Sequence, residues 1–136
     1  MKVYKTIIPK AIYWASFFLL VNILITWYFI FNGQVLLYFW LLVLFTNLIV
    51  FLAIFSGWKR SVLLINDSKI IICRPSGWVS QTNYVFNLFE INQLEFEGRF
   101  ISIGRYDSSV ALKFGPIKNI NDLRESLKRL LPKIVL

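Results

Sequence analysis

The chain has 136 residues, 57% of them hydrophobic, a formal net charge of +8, one cysteine and no histidine. Without histidine there is no Ser–His or Cys–His pair for nucleophilic catalysis. A single cysteine excludes an internal disulfide framework, as suits a reducing compartment.

In chain order, a short leader with Lys2, Lys5 and Lys10 comes first. Two apolar runs follow, 11–31 and 35–55, split by Asn32-Gly33-Gln34. Each run has 21 residues and no charge. At about 1.5 Å per residue, each predicts a helix of roughly 31 Å, the thickness of a bilayer's hydrocarbon core. The first run holds 12 Leu, Ile, Val or Phe residues and the second 16. Each favours insertion by roughly 0.3–0.6 kcal/mol at mid-helix, so the sums outweigh one Asn per run. A soluble hairpin would need a polar face, and neither run has one. A cleaved signal peptide needs a shorter apolar core and a small-residue cleavage site.

The aromatics predict where the spans end. Trp14, Trp27, Tyr28, Trp40 and Trp58, with Lys59 and Arg60, are the expected interface anchors. Gly33 takes a positive φ at little cost, so a tight reversal there makes the helices antiparallel neighbours. Basic residues flank the hairpin and none lies in its loop. The positive-inside rule therefore places both termini in the cytoplasm of a two-span cell-membrane protein. Asn22, Thr46 and Asn47 lie at mid-depth and are expected to hydrogen-bond between the helices. A contact to a second copy or another protein is the alternative.

Composition changes at Gly57. All seven acidic residues lie beyond it, with 12 of the 15 basic ones. Residues 1–57 are therefore read as leader plus hairpin, and 58–136 as a basic cytoplasmic domain. An anionic leaflet attracts each nearby Lys or Arg by about 1 kcal/mol, which accounts for the charge without nucleic acid.

In this second part the hydrophobic period shortens to that of strands. Residues 62–65 and 69–74 predict a hairpin around Asn66-Asp67-Ser68. Pro75-Ser76-Gly77 is the next turn. In 78–87, Val79, Tyr84 and Phe86 are expected to point inward. Leu94 and Phe96 alternate with Glu95 and Glu97. Ile101 and Ile103 share a face, and Val110, Leu112 and Phe114 alternate with Ala111 and Lys113. This predicts about six strands in a sheet or small open barrel. After Gly115-Pro116 the spacing of Ile120, Leu123, Leu127, Leu130 and Leu131 predicts an amphipathic helix over 119–132, capped by Asn119 or Asn121 and packed on the sheet.

A membrane hairpin, strands and one C-terminal amphipathic helix resemble the bacterial pleckstrin-homology-like domains carried on membrane anchors. The matching stretches are 61–67 running into 69–72, then 86–91 before Leu94-Glu95, and 110–114 before the helix 121–131. The resemblance implies a partly open barrel of about seven strands with one end closed by the helix. The basic cluster with which eukaryotic relatives hold phosphoinositides is missing, since only Lys69 and Arg74 lie near the first hairpin.

No catalytic, metal-binding or cofactor-binding constellation is expected. Glu95 and Glu97 read as an exposed strand face, Ser108-Ser109 as a turn and Cys73 as a core or half-buried strand residue. No glycine-rich phosphate loop occurs. Two turns place an aromatic beside an arginine: Arg74 with Trp78, and Arg99 with Phe100. These are the candidate headgroup or partner contacts, unless the rings fold into the core. The function expected is a non-enzymatic, membrane-anchored interaction module that binds a protein or peptide partner, or lipid headgroups, at the inner membrane face. The alternative is an immunity protein against a membrane-active, bacteriocin-like peptide.

Overall fold

Two helices, α1 (Lys10–Asn32) and α2 (Leu37–Arg60), form an antiparallel hairpin in a computed structural model that describes residues 1–33 and 36–134. Both are long and apolar enough to cross a membrane by length and composition. No residue of α2 is buried, and in α1 only Ile12, Asn22 and Thr26 are. A helix in the core of a soluble protein would bury its apolar face. Here Trp27, Phe31, Tyr38 and Phe45 are all exposed, as suits lipid. Gly33 ends α1 in the left-handed conformation (φ 60°), and its N–H donates to the Phe29 carbonyl. Gln34 and Val35, part of the expected reversal, lie outside the described residues. The stacked rings of Phe29 and Trp40, 5.8 Å apart, join the two helices near this end.

Helix α1 exceeds its expected bounds by one residue at each end, and α2 runs five residues past its expected end. Ser56, Gly57, Trp58, Lys59 and Arg60 continue the helix, and the two cations suit its negative C-terminal end.

The chain forms two compact units, Ile8–Trp58 and Met1–Ile7 together with Lys59–Leu136. The second is a β domain with a discontinuous sequence. Strand β1 (Lys2–Lys5) pairs antiparallel with β2 (Val62–Ile65), Lys5 opposite Val62 and Lys2 opposite Ile65. The leader is thus an edge strand, for which the sequence reading had no place. Strands β3 (Lys69–Pro75) and β4 (Gln81–Asn87) complete a four-stranded sheet in the order β1-β2-β3-β4. A 3₁₀ turn (Leu88–Glu90) leads to β5 (Ile91–Glu97), β6 (Phe100–Arg105) and β7 (Leu112–Phe114), which form a three-stranded sheet. The sheets stay open, and helix α3 (Ile120–Leu130) follows them.

The core lies between the sheets and α3. Leu63, Ile70, Ile72, Ile101, Ile103, Leu123 and Leu127 are fully buried in it. Each contributes roughly 1.5–3 kcal/mol of burial free energy. The predicted alternations hold at Leu94, Phe96, Ile101 and Ile103, and Cys73 is buried. Two expected alternations do not hold. Val79 lies in the β3–β4 loop and Tyr84 is exposed, so of that trio only Phe86 is buried. Val110 precedes β7 and is exposed. Asn119 takes the N-cap position of α3 but makes no side-chain capping bond.

Candidate functional site

The register of the β domain defines two ends. At one, the chain leaves after Ile7 and returns at Lys59. Lys5 pairs with Val62, Val62 with Cys73, and Pro75 with Gln81, so the β3–β4 loop lies at this junction end. Thr6 bridges to Ile117, whose N–H donates to the Arg99 carbonyl (2.8 Å), and the Lys118 N–H donates to the Lys5 carbonyl (3.1 Å). The β5–β6 turn and the segment before α3 therefore reach the same end. Gly115 makes this corner possible. Its φ is 142°, and a Cβ there would sit 2.8 Å from the Arg99 carbonyl oxygen and 3.0 Å from the Phe100 ring.

The junction end thus gathers Lys5, Arg60, Arg74, Arg99 and Lys118 from five separate stretches. Glu97 is the acid beside them, and it pairs with Lys113. The opposite end holds the 66–68 turn and the 3₁₀ turn, joined by the Leu88 N–H donating to the Ser68 carbonyl. There Asp67, Glu90 and Asp107 mix with Lys69, Arg105 and Arg129. Positive charge is concentrated where the chain meets the helices.

The two sequence-predicted tips differ. Trp78 and Val79 are 68% and 90% exposed. Arg60 fixes their loop through its guanidinium group. Nη1 donates to the Ser80 carbonyl (2.6 Å), and Nη2 donates to those of Gly77 (2.8 Å) and Trp78 (2.9 Å). The Ser76 N–H also donates to the Ser80 carbonyl (3.1 Å). Phe100 instead lies half against the domain, 37% exposed, with the Lys113 ammonium 5.2 Å from its ring centre. Arg74 is half-buried on β3 opposite Thr82.

Three polar side chains of the hairpin bond to their own helices. Asn22 Nδ2 donates to the Phe18 carbonyl (2.9 Å), Thr26 Oγ1 to that of Asn22 (2.7 Å) and Thr46 Oγ1 to that of Leu42 (2.9 Å). These bonds of Asn22 and Thr46 lie within each helix. A short polar side chain reaches the carbonyl one turn back without needing a partner helix. Asn47 is half-buried. Of the expected anchors, Trp14, Trp27 and Tyr28 are exposed on α1, whereas Trp40 and Trp58 are partly covered.

Sequence reasoning missed the polar cluster on β1. The Tyr4 hydroxyl bonds to Asp122 Oδ2 (2.8 Å) and Ser126 Oγ (2.9 Å). Lys2 Nζ donates to Ser126 Oγ (2.9 Å) and lies 3.6 Å from Asp122 Oδ1. Burial raises the Tyr4 hydroxyl above its ordinary pKa. The Ser126 hydrogen bond opposes the rise and Asp122 adds to it. This cluster pins the first strand to the last helix. Tyr4 and Thr6 are buried on either side of exposed Lys5.

Two grooves flank the edge strands. One, of 480 Å³, lies along β1 and is lined by Lys2, Tyr4, Lys5 and Lys118 among others. The second, of 620 Å³, runs along β5 beside Arg124, whose guanidinium stacks 4.9 Å over the Phe96 ring. Among the described residues no group of three or more His, Cys, Asp and Glu side chains is placed to hold a metal ion. No family model, curated protein or solved structure matches the chain.

Proposed function

We propose that this protein is a non-enzymatic, membrane-anchored module whose pleckstrin-homology-like domain docks on anionic lipid headgroups at the inner face of the cell membrane. The observation that carries the reading is the junction end, where Lys5, Arg60, Arg74, Arg99 and Lys118 meet at the point of attachment to two apolar helices. Each cation held near an anionic leaflet gains about 1 kcal/mol, so several orient the domain against it. Strands β1 and β2 belong to one sheet, although the hairpin separates them in sequence. Two spans between them keep both flanks on the same side. The lysines before α1 and the Lys59-Arg60 pair after α2 make that side cytoplasmic. Seven strands in two sheets and one C-terminal helix support the resemblance to pleckstrin-homology-like domains.

A second occupant, an extended peptide, is favoured by one feature. Strand β5 is the edge of its sheet and borders the 620 Å³ groove, so its backbone is open to strand addition.

The test is amide hydrogen exchange of the full chain in nanodiscs, with and without phosphatidylglycerol. Docking predicts slower exchange around residues 97–100 and 116–118 with the anionic lipid, reversed by high salt. Equal exchange in both bilayers contradicts headgroup docking.

A further inference from the structure

We infer that the loop 75–80, strapped to the end of α2 by Arg60, immerses Trp78 and Val79 at the headgroup–acyl boundary of the bilayer that α2 crosses. This rests on the docking reading above and narrows its apolar part to one loop.

The argument starts from Arg60. It is the last residue of α2, two positions beyond Trp58. Its guanidinium bonds to three carbonyls of the loop, at Gly77, Trp78 and Ser80. One side chain therefore separates the loop backbone from the end of an apolar, membrane-length helix. Three donor contacts from a planar cation hold that spacing far more firmly than one would.

The loop's composition fits the place. Trp78 and Val79 at its tip are largely exposed and take no part in the core. In water this arrangement costs free energy. At a bilayer boundary, tryptophan is the side chain that prefers the headgroup level, and valine gains by leaving water. The backbone fits as well. A loop entering a region poor in water must bring its polar groups already paired. Arg60 pairs three of the carbonyls here, and the Ser76 N–H pairs with the Ser80 carbonyl. The bilayer is the occupant that accounts for these features together, because the strap is part of the helix that crosses it.

The test uses the full chain in vesicles of phosphatidylcholine and phosphatidylglycerol. Cys73 is replaced by alanine, and Val79→Cys carries an environment-sensitive fluorophore. Val79 is exposed and makes no core contact, so the substitution leaves the fold intact. Immersion predicts a blue-shifted emission that is quenched by lipids spin-labelled near the headgroup. The same label at Asp67, in the turn of the opposite end, stays water-like. Arg60→Gln releases the loop and reduces the quenching at residue 79. A water-like, unquenched label at residue 79 overturns the inference, and so does quenching that survives Arg60→Gln. If residue 79 stays in water while 97–100 and 116–118 are still protected by anionic lipid, headgroup docking stands and only loop immersion falls.

Discussion

The hydroxyl of Tyr4 lies 2.8 Å from Asp122 Oδ2, joining residues 118 positions apart in sequence. Strand β1 and helix α3, the two sequence extremes of the domain, thus close on each other while the apolar hairpin lies between β1 and β2. A fold of this kind needs its first strand before the hairpin and everything else after it. The domain is completed only when the segments before and after the hairpin meet.

The cluster around Tyr4 makes alkaline stability a readout of this closure. The folded-state pKa of Tyr4 is raised, so folding favours the neutral phenol. Its contribution is fully present below the unfolded value of about 10 and is lost as pH rises through the higher folded value. Tyr4→Phe removes the hydroxyl but leaves Lys2 to partner Asp122 and Ser126. The expected cost at neutral pH is therefore about 0.5–1.5 kcal/mol. Denaturation of the full chain in mild detergent should show the two proteins converging above pH 10. A gap that stays constant with pH would contradict the assignment.

Leu127 tests the packing of α3. It is fully buried, with Leu123 and Leu131 along the same stripe. Leu127→Ala leaves a cavity that costs roughly 2–5 kcal/mol. An isolated helix of 11 residues is marginal in water, so its order comes from this packing. Hydrogen exchange on Ile120–Leu130 should rise sharply in the variant. An unchanged rate would mean that the stripe does not hold the helix.

Much of this domain was legible in the sequence because its signals are local. Ile101 and Ile103, or Leu123 and Leu127, state their faces through spacing alone. Strand β1 was not legible, since four residues carry too little periodicity and the partner strand lies 60 positions away across the hairpin. Val79 was misread because the alternation of 78–87 was carried through a loop that ends at Ser80. Arg60 read as a membrane anchor from its neighbours Trp58 and Lys59, but spacing cannot reveal that its guanidinium holds a loop 17 to 20 residues on.

Asn22 yields a prediction from its bond within α1. Its amide Nδ2 donates to the Phe18 carbonyl within its own helix. Asn22→Leu should therefore change hairpin stability by less than the ~0.6 kcal/mol typical of interhelical bonds in membranes. Steric trapping or unfolding in mixed micelles would measure it. A loss near the upper limit of about 1.7 kcal/mol would restore a bond between the helices.

The split domain also predicts what can be made without the hairpin. Residues 59–136 alone lack Tyr4 and Thr6, both buried, and should not give the dispersed spectrum of a folded protein. Lys5 and Val62 are register partners, about 5 Å apart as such pairs are. Residues 1–7 joined to 59–136 through a short glycine-serine linker should therefore fold as a soluble domain. A well-dispersed amide spectrum from 59–136 alone would show that β1 is dispensable.

The pairing of β1 with β2 across a membrane-spanning hairpin is the central claim, and disulfide trapping in native membranes tests it most directly. Val3 and Leu64 are register partners. Cysteines at both positions, with Cys73→Ala and a protease site inserted after Gly33, give a chain whose two halves can be cut apart from the far side. Paired strands bring the two Cβ atoms to about 4.5–5.5 Å, close enough to bridge on mild oxidation. The expected result is two fragments that stay joined after proteolysis and separate only with reductant. Fragments that separate without reductant, although both cysteines are accessible to oxidant, would contradict the account.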